Sequence, residues 1–290
     1  MELLIYVVAG AANGCLYALM ALGLVLIYKT QSFVPFVNGE FFAAGAFIGL
    51  LCFKSLGLPY WAALVAGILG GGLIGIIVER LTIRPIAESH HLSLVMVTAA
   101  ASITLQGLAR LQWGDDLYTF PSLFGSASIS IFGAPIALQN LSIILVAAVL
   151  AGMFFLLFGF TPIGKKMRAL SQNQIGAQII GINTDGVRGV CWLLSGAIGG
   201  AAGVLAGPIT LLYPDMGSGI LMKGFAAAIL GGLSSIPGSI VGGILIGILE
   251  VLTGAYLSSA IIEVSSFIII MLVLLVRPTG LFGQKSVMRV

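Results

Sequence analysis

The stretch Gly164–Ile182, GKKMRALSQNQIGAQIIGI, decides how the rest of the chain is interpreted. It is the longest polar run in a very apolar sequence, and it carries Lys165, Lys166 and Arg168 but no acidic residue. Apolar segments long enough to cross a bilayer lie on both sides of it. A basic segment between two membrane spans is typical of a cytoplasmic loop.

Small side chains recur at every fourth residue of this stretch, at Ala169, Asn173, Ala177 and Gly181. On one continuous helix this spacing would form a stripe that another protein can approach closely. Gly181 is typical of a helix stop, and the Asn-Thr-Asp that follows is typical of a turn or a helix cap. The pattern predicts a helix over 164–182 that either contacts a partner protein or is an ordinary solvated loop helix.

The composition indicates an integral membrane protein. Of the 290 residues, 59% are hydrophobic and only 8% are charged, whereas a soluble domain carries about 25% charged residues. The net charge is +3 and no basic tract is present, which argues against nucleic-acid binding. Three cysteines lie in apolar segments without a CxxC pair, so neither a disulfide framework nor a zinc site is expected.

Apolar segments follow one another along the whole chain, and they predict an all-α bundle that forms one membrane domain over 1–290. The segments are 3–28, 40–53, 58–78, 92–111, 141–160, 189–212, 217–233, 238–257 and 262–276. A span needs about 20 apolar residues, so segment 40–53 is expected to be a broken or partly re-entrant helix. The sequence predicts eight or nine transmembrane helices, depending on how the segments near Glu40 and Gly217 are counted.

The basic residues indicate the orientation of the chain. If nine spans alternate, ten basic residues fall on one side: Lys29, Arg80, Arg84, Lys165, Lys166, Arg168, Arg188, Arg277, Lys285 and Arg289. Only Lys54 and Arg110 flank the other side, and Lys223 lies within a segment. Because cytoplasmic loops carry an excess of Lys and Arg, we expect the basic stretch, a charged loop over 79–91 and the C-terminus to be cytoplasmic. The N-terminus and a longer loop over 112–139 then face outward.

A weak internal repeat relates two parts of the chain. Segment 40–45, EFFAAG, resembles segment 223–228, KGFAAA. A pair of glycines precedes Glu79 at the same spacing as another pair precedes Glu250. In the nine-span topology the paired segments run in opposite directions, as an inverted repeat requires. Helices rich in small residues also resemble one another by chance.

One motif resembles a nucleotide site, and we reject it. Residues 159–166, GFTPIGKK, almost match the phosphate-binding pattern GxxxxGK[ST], but Lys166 replaces the Mg²⁺-binding hydroxyl and an apolar helix precedes the motif instead of a strand. We therefore expect any ATP to be bound by a partner. His90 and His91 are adjacent and belong to no metal-ligand pattern or catalytic triad, so no catalytic residue is expected.

Polar residues inside apolar segments are candidates for a translocation pathway, because burying charge in a bilayer is costly. The candidates are Glu40, Lys223, Glu250 and Glu263, together with Asn13, Thr98, Ser102, Thr104 and Gln106. Each could line an aqueous path, or it could be paired at an interface or hydrogen-bonded to a neighbouring helix.

Three groups of residues together resemble one family. The first is Arg168-Ala169 with Asn173, Ala177 and Gly181–Asp185; the second runs from Lys223 through Leu230-Gly231-Gly232, Ser235–Gly238 and Gly242-Gly243 to Glu250; the third is Asn38-Gly39-Glu40 with Pro278-Thr279-Gly280. In order and spacing the chain is similar, along nearly its whole length, to the permease subunit of branched-chain amino acid ABC importers, the leucine/isoleucine/valine type.

The resemblance implies a permease that moves branched-chain amino acids or related small polar solutes by ATP-driven alternating access in a prokaryotic inner membrane. It implies a homologous second permease subunit, two cytoplasmic ATPase subunits that bind ATP and Mg²⁺, and a periplasmic binding protein that delivers the solute. This chain itself would hold no cofactor and no metal. Its segment 164–182 would be the coupling helix that docks into an ATPase, with Arg168, Ala169, Asn173, Ala177, Gly181 and Ile182 as the matching residues.

The chain departs from the family pattern in two places. Val37-Asn38-Gly39 stands where the family often has Ala-His-Gly, and the loop over 112–139 is specific to this chain. An ion-coupled secondary transporter is the alternative function, suggested by the repeat and by the membrane carboxylates. A membrane-embedded enzyme is disfavoured because no catalytic constellation is present.

Overall fold

The computed structural model describes residues 2–87, 89–125, 127–131, 134–258, 261–277 and 279–283. These residues are mainly helical, and six of their helices are long and apolar enough to cross a membrane. The helices are α1 (Glu2–Gln31), α2 (Asn38–Lys54), α3 (Tyr60–Val78), α4 (His91–Trp113), α5 (Leu138–Phe160), α6 (Pro162–Gln172), α7 (Gln174–Ile179), α8 (Thr184–Ala206), α9 (Met216–Gly231), α10 (Ile236–Tyr256) and α11 (Ile262–Val276). The prediction of a helical membrane protein is confirmed.

Short strands occupy two connections of the bundle. They are β1 (Tyr118–Thr119), β2 (Ser128–Ile131), β3 (Ala134–Ala137) and β4 (Leu211–Leu212). β2 and β3 form an antiparallel hairpin within the predicted loop over 112–139, and β1 pairs antiparallel with β4. Because β1–β4 pairing joins the α4–α5 connection to the α8–α9 connection, both connections lie at the same end of the bundle.

Helix α1 is the centre of the bundle. Most of its length is buried, and it packs against α8, α9 and α10. The contact between α1 and α10 requires glycine at position 10. A Cβ there would lie 2.7 Å from the Cα of Ile248 in α10, which is too close for two carbon atoms that are not bonded. Helices in lipid associate largely through such close backbone packing.

A second glycine contact joins α2, α3 and α8. A Cβ on Gly71 of α3 would lie 3.0 Å from the Cα of Gly200 in α8, and one on Gly45 of α2 would overlap the Gly200 backbone. Only glycine fits where three helices cross at this distance. This contact fixes α2 and α3 against the half of the bundle that follows the basic stretch.

Helices α4 and α5 lie at the periphery. Only 11% of the α4 span and 17% of the α5 span is buried, against 89% for α1. A Cβ on Gly107 of α4 or Gly152 of α5 would meet no described atom within 4 Å. These two helices therefore present open faces to the surroundings of the chain.

Helix α2 begins deep in the bundle. The backbone N–H of Phe36, just before α2, donates at 3.2 Å to the hydroxyl of Thr98, which lies about a third of the way along α4. The 17 residues of α2 extend roughly 25 Å, which is less than the hydrocarbon thickness of about 30 Å. The helix is continuous from Asn38 to Lys54, so the expectation of a broken helix over 40–53 is wrong.

Three predicted boundaries are wrong. The charged loop over 79–91 begins as a continuation of α3, in a π-helical turn at Glu79–Ile83 and a 3₁₀ turn at Arg84–Ile86. The segment predicted over 189–212 begins five residues earlier, because Asn183 caps α8 through the backbone N–H of Gly186. The third error concerns the basic stretch, which does not form one helix.

Candidate functional site

The basic stretch is divided at Asn173. Helix α6 ends at Gln172, Asn173 is extended (φ −157°, ψ 109°), and α7 begins at Gln174. The Asn173 side-chain oxygen accepts a hydrogen bond from the N–H of Gly176 at 2.9 Å. The prediction of one helix over 164–182 is wrong because Asn173 acts as an N-cap, the position at which asparagine is most favoured.

Gly181 ends α7, as predicted. Its φ is +80°, a conformation that glycine adopts without steric cost. The N–H of Gly181 donates to the Gln178 carbonyl, and the N–H of Ile182 donates to the Ala177 carbonyl, both at 3.0 Å. These two bonds form a Schellman motif, so the stop is a local feature of the sequence.

Arg168 faces the membrane helix that precedes it. Its guanidinium donates to the carbonyls of Phe158 and Gly159 at the end of α5, the second at 2.8 Å. It also lies 5.7 Å from the centre of the Phe158 ring, and Lys29 of α1 lies 5.4 Å from the same ring. The last carbonyls of a helix lack intrahelical partners, so Arg168 caps α5 and fixes α6 to it.

The predicted stripe of small residues is not a single exposed surface. Ala177 is buried, Ala169 and Ile182 are half-buried, and Asn173 and Gly181 are exposed on either side of α7. The side chains that α7 and its C-cap expose are instead large and apolar: Ile175 is 70%, Ile179 79% and Ile180 72% exposed. These three form the isoleucine patch. In the sequence, the isoleucine patch corresponds to three isoleucines within the six residues 175–180 of an otherwise polar segment.

Glu40 is the centre of a first polar cluster in the membrane bundle. It is buried at 4% exposure, and its Oε1 accepts hydrogen bonds from Ser102 at 2.9 Å and from Gln106 at 2.8 Å, both on α4. Thr98, one turn earlier on α4, binds the backbone of Phe36. The structure thus brings together four of the candidate pathway residues: Glu40, Thr98, Ser102 and Gln106.

Lys223 and Glu250 form a second polar cluster. The Lys223 ammonium lies 2.5 Å from Glu250 Oε1 and 3.3 Å from the hydroxyl of Tyr17. The second carboxylate oxygen of Glu250 is buried and has no hydrogen-bond partner among the described residues. The sequence carries no signal for Tyr17, because a tyrosine in an apolar span does not indicate which residue it will contact.

Asn13 lies half-buried one helical turn before Tyr17. The predicted pathway residues therefore lie in two clusters on different helices. The side chain of Glu263, and Pro278, Lys285 and Arg289, lie outside the described residues.

Asn38, where the chain departs from the family pattern, is fully buried at the start of α2. Its Oδ1 accepts a hydrogen bond from Ser195 of α8 at 2.6 Å, and a Cβ on Gly23 of α1 would lie 3.1 Å from its Nδ2. Nδ2 has no hydrogen-bond partner within the part of the chain that the structure describes. Asn38 thus joins three helices through a small polar contact.

Ion pairs mark the two ends of the bundle. At one end Asp185, in the first turn of α8, pairs with Arg84 at 3.6 Å and with Arg188 at 3.4 Å. At the other end Arg110 of α4 pairs with Asp115 at 3.1 Å and with Asp215 at the start of α9. Over the described ranges no group of three His, Cys, Asp or Glu residues could hold a metal ion.

Comparison with known proteins finds relatives that match nearly the whole chain. The family described as "Branched-chain amino acid transport system / permease component" matches residues 6–277. The high-affinity branched-chain amino acid transport system permease protein LivH of Salmonella typhimurium is 32% identical over 295 residues, covering 97% of this chain and 96% of LivH. The corresponding permease protein BraD of Pseudomonas aeruginosa is 28% identical, covering 98% and 96%.

A solved structure shares the fold. An ABC transporter of metal-chelate type in an inward-facing conformation superposes with a TM-score of 0.52 at 19% identity, covering 93% of this chain and 82% of that chain. The match with the family extends over both polar clusters and the whole basic stretch. The chain belongs to the family of permease components of branched-chain amino acid transport systems.

Proposed function

We propose that this chain is the membrane-spanning subunit of an ABC importer that moves branched-chain amino acids or related small polar solutes by ATP-driven alternating access. The observation that carries the proposal is the match with the family along residues 6–277, together with a similarity to LivH that covers 97% of this chain and 96% of LivH. The ion-coupled alternative is not favoured, because the relatives are permease components of ABC systems.

Its partners are a homologous second permease subunit, two cytoplasmic ATPase subunits and a periplasmic binding protein. ATP and Mg²⁺ are bound by the ATPase subunits, and this chain has no nucleotide site. The conformation of the near-match over 159–166 supports this assignment. Helix α5 precedes it where a strand is required, and the N–H of Gly164 donates to the Thr161 hydroxyl in an N-cap.

In the proposed orientation the chain lies in a prokaryotic inner membrane with its C-terminus in the cytoplasm. Lys29, Arg84, Arg168 and Arg188 lie at the ends of α1, α3, α5–α6 and α8 that adjoin the basic stretch. The opposite end carries Arg110, balanced by two aspartates. The excess of basic residues at the first end supports its assignment to the cytoplasmic side. In this orientation the chain crosses the membrane nine times, through helices α1–α5 and α8–α11.

The two halves are an inverted repeat in which α1, α2 and α3 correspond to α8, α9 and α10. The pairs of packed helices support this correspondence, because the close α1–α10 contact has its counterpart in α3–α8, and α2–α3 has its counterpart in α9–α10. Gly39 and Gly217, at equivalent positions near the starts of α2 and α9, are in backbone contact. Such repeats commonly place a transport path between them.

The coupling segment is α6–α7, which docks into an ATPase subunit. We assign the contact surface to the isoleucine patch, since a large exposed apolar patch marks an interaction site. The residues matched to the family pattern serve this surface in different ways. Arg168 fixes α6 to α5, Asn173 and Gly181 set the direction of α7, and Ala169, Ala177 and Ile182 pack its inner side.

The translocation pathway runs past the two polar clusters. Glu40, Thr98 and Ser102 line one part of it, and Asn13, Lys223 and Glu250 the other. Buried ionisable groups in membrane bundles are costly unless paired or functional. Both clusters have a buried carboxylate held by named donors, which supports this assignment.

Reconstitution tests the function. The chain is placed in proteoliposomes with its partner permease, the ATPase subunits and the binding protein, and uptake of leucine, urea and a short amide is measured with and without ATP. Leucine uptake that requires both ATP and the binding protein is the expected result. Uptake by this chain alone, driven by an ion gradient, would overturn the proposal.

A further inference from the structure

A cavity of about 380 Å³ lies between α9, α11 and the segment 207–213. Most of its wall is apolar, from side chains such as Phe42, Met216 and Phe267. Lys223, Ser266, Thr210 and Tyr213 are its polar side chains. Small-molecule sites are typically mostly apolar clefts of roughly 300–1,000 Å³ with a few placed polar groups, so the cavity has the dimensions and the lining of a ligand site.

The hydroxyl of Ser266 lacks a partner at this wall. Ser266 is 3% exposed, and its Oγ makes no hydrogen bond to any described residue. Buried side-chain polar atoms nearly always have a partner. Ser266 lines the cavity and its hydroxyl has no described hydrogen-bond partner. This hydroxyl can therefore bind a polar group that enters the cavity.

Lys223 supplies an ammonium N–H donor to the same cavity. An ammonium has three N–H donors, and Lys223 directs two of them to Glu250 and Tyr17. The third donor remains for a ligand, and the side chain is 24% exposed, so the cavity can reach it. Glu250 and Tyr17 hold the ammonium in place before any ligand arrives.

We propose that this cavity binds the transported solute by its carboxylate, which accepts hydrogen bonds from the Lys223 ammonium and the Ser266 hydroxyl. A small aliphatic side chain then contacts Phe42, Met216 and Phe267, so the ligand class is a branched-chain amino acid. This inference rests on the proposed function and adds a binding site to it. In the proposed orientation the segment 207–213 is at the outer surface, so solute released by the binding protein reaches this site from outside.

Filling the cavity is the decisive experiment. Gly219 lines the cavity, and a Cβ there would meet no atom within 4 Å, so Gly219→Leu fills the space without a backbone clash. Gly152→Leu is the matched control, because Gly152 is equally open but lies on α5 and lines no part of this cavity. Binding of radiolabelled leucine is measured on the complete transporter complex in nanodiscs without binding protein, and ATP-dependent uptake in proteoliposomes with it.

Gly219→Leu is expected to weaken leucine binding at least tenfold and to lower uptake, while Gly152→Leu changes neither. Ser266→Ala is expected to weaken binding at least tenfold, since a hydrogen bond to a charged group contributes about 1.5–3 kcal/mol. Leucinamide, which matches leucine in shape but lacks the carboxylate, is expected not to compete.

Three results would overturn the site. They are normal leucine binding and uptake by Gly219→Leu, equal loss in Gly152→Leu, and competition by leucinamide as strong as by leucine. In the first case a lipid chain or a second subunit would be the occupant, and the proposed function would stand. Absence of ATP-dependent leucine uptake by the unaltered complex would instead overturn the proposed function and the site together.

Discussion

Lys223 of α9 and Glu250 of α10 form an ion pair 2.5 Å long, and the side chain of Glu250 is only 7% exposed. The pair joins two helices that also pack on α1. Coulombic attraction is strong where water is excluded, but the desolvation of both charges opposes it. The pair itself therefore adds little to the stability of the fold, but loss of either residue leaves the other as an uncompensated, largely buried charge.

Removing one member of this pair should destabilise the fold more than removing both. Lys223→Met leaves Glu250 buried without a counter-charge, and we expect a loss of about 3 kcal/mol, the low end for a broken buried pair because Lys223 is partly exposed. The double variant Lys223→Met/Glu250→Gln should recover more than half of that loss. Denaturant unfolding in detergent micelles measures both. Additive losses in the double variant would contradict the predicted coupling.

The crossing at Gly200 should tolerate no side chain. A Cβ there would meet the backbone of Gly67 and lie 3.2 Å from the Cα of Gly71, and backbone cannot rotate away as a side chain can. We expect Gly200→Ala to cost about 3 kcal/mol. Gly152→Ala, on the open face of α5, should instead stabilise by about 0.5–1 kcal/mol, because alanine favours helix. Equal behaviour of the two variants in unfolding experiments would show that the predicted close crossing is absent.

Arg168 should control the junction of α5 and α6. Arg168→Ala removes hydrogen bonds to the carbonyls of Phe158 and Gly159, and we expect local stability to fall by about 2 kcal/mol. Hydrogen exchange of the amides in α6 should then accelerate about 30-fold. Lys165→Ala is the control, since Lys165 is an exposed cation on the same helix. Unchanged exchange in Arg168→Ala would contradict the capping role.

The isoleucine patch should be required for assembly with the ATPase. Ile179→Asp places a charge at a side chain that is 79% exposed, so the isolated permease should fold normally while copurification of the ATPase subunit falls at least tenfold. Gln174→Asp makes the same change at an exposed polar position of α7 and should leave assembly intact. Full copurification with Ile179→Asp would assign the ATPase contact to another surface.

Several features followed from the sequence because their causes are local. The positions of the apolar helices depend on hydropathy alone, and each predicted segment overlaps a helix. The stop at Gly181 depends on a left-handed backbone that glycine adopts readily. The break at Asn173 was also a local signal, since asparagine is a strong N-cap, but the four-residue spacing of small side chains pointed to one continuous helix.

The tertiary structure decided which apolar helix is central and which faces outward. Lipid and the protein interior are both apolar, so hydropathy marks α1 and α5 alike as membrane spans although one is buried and the other open. The partners of Glu40 and Lys223 also depend on helix packing across long sequence distances. The sequence by itself determined the membrane class, the family and the helix stop at Gly181, because these follow from the composition, the residue pattern and the local backbone. The Glu40 cluster exists only where α2 and α4 meet, and the Lys223 cluster only where α1, α9 and α10 meet. The cavity exists only where α9 and α11 meet the segment 207–213.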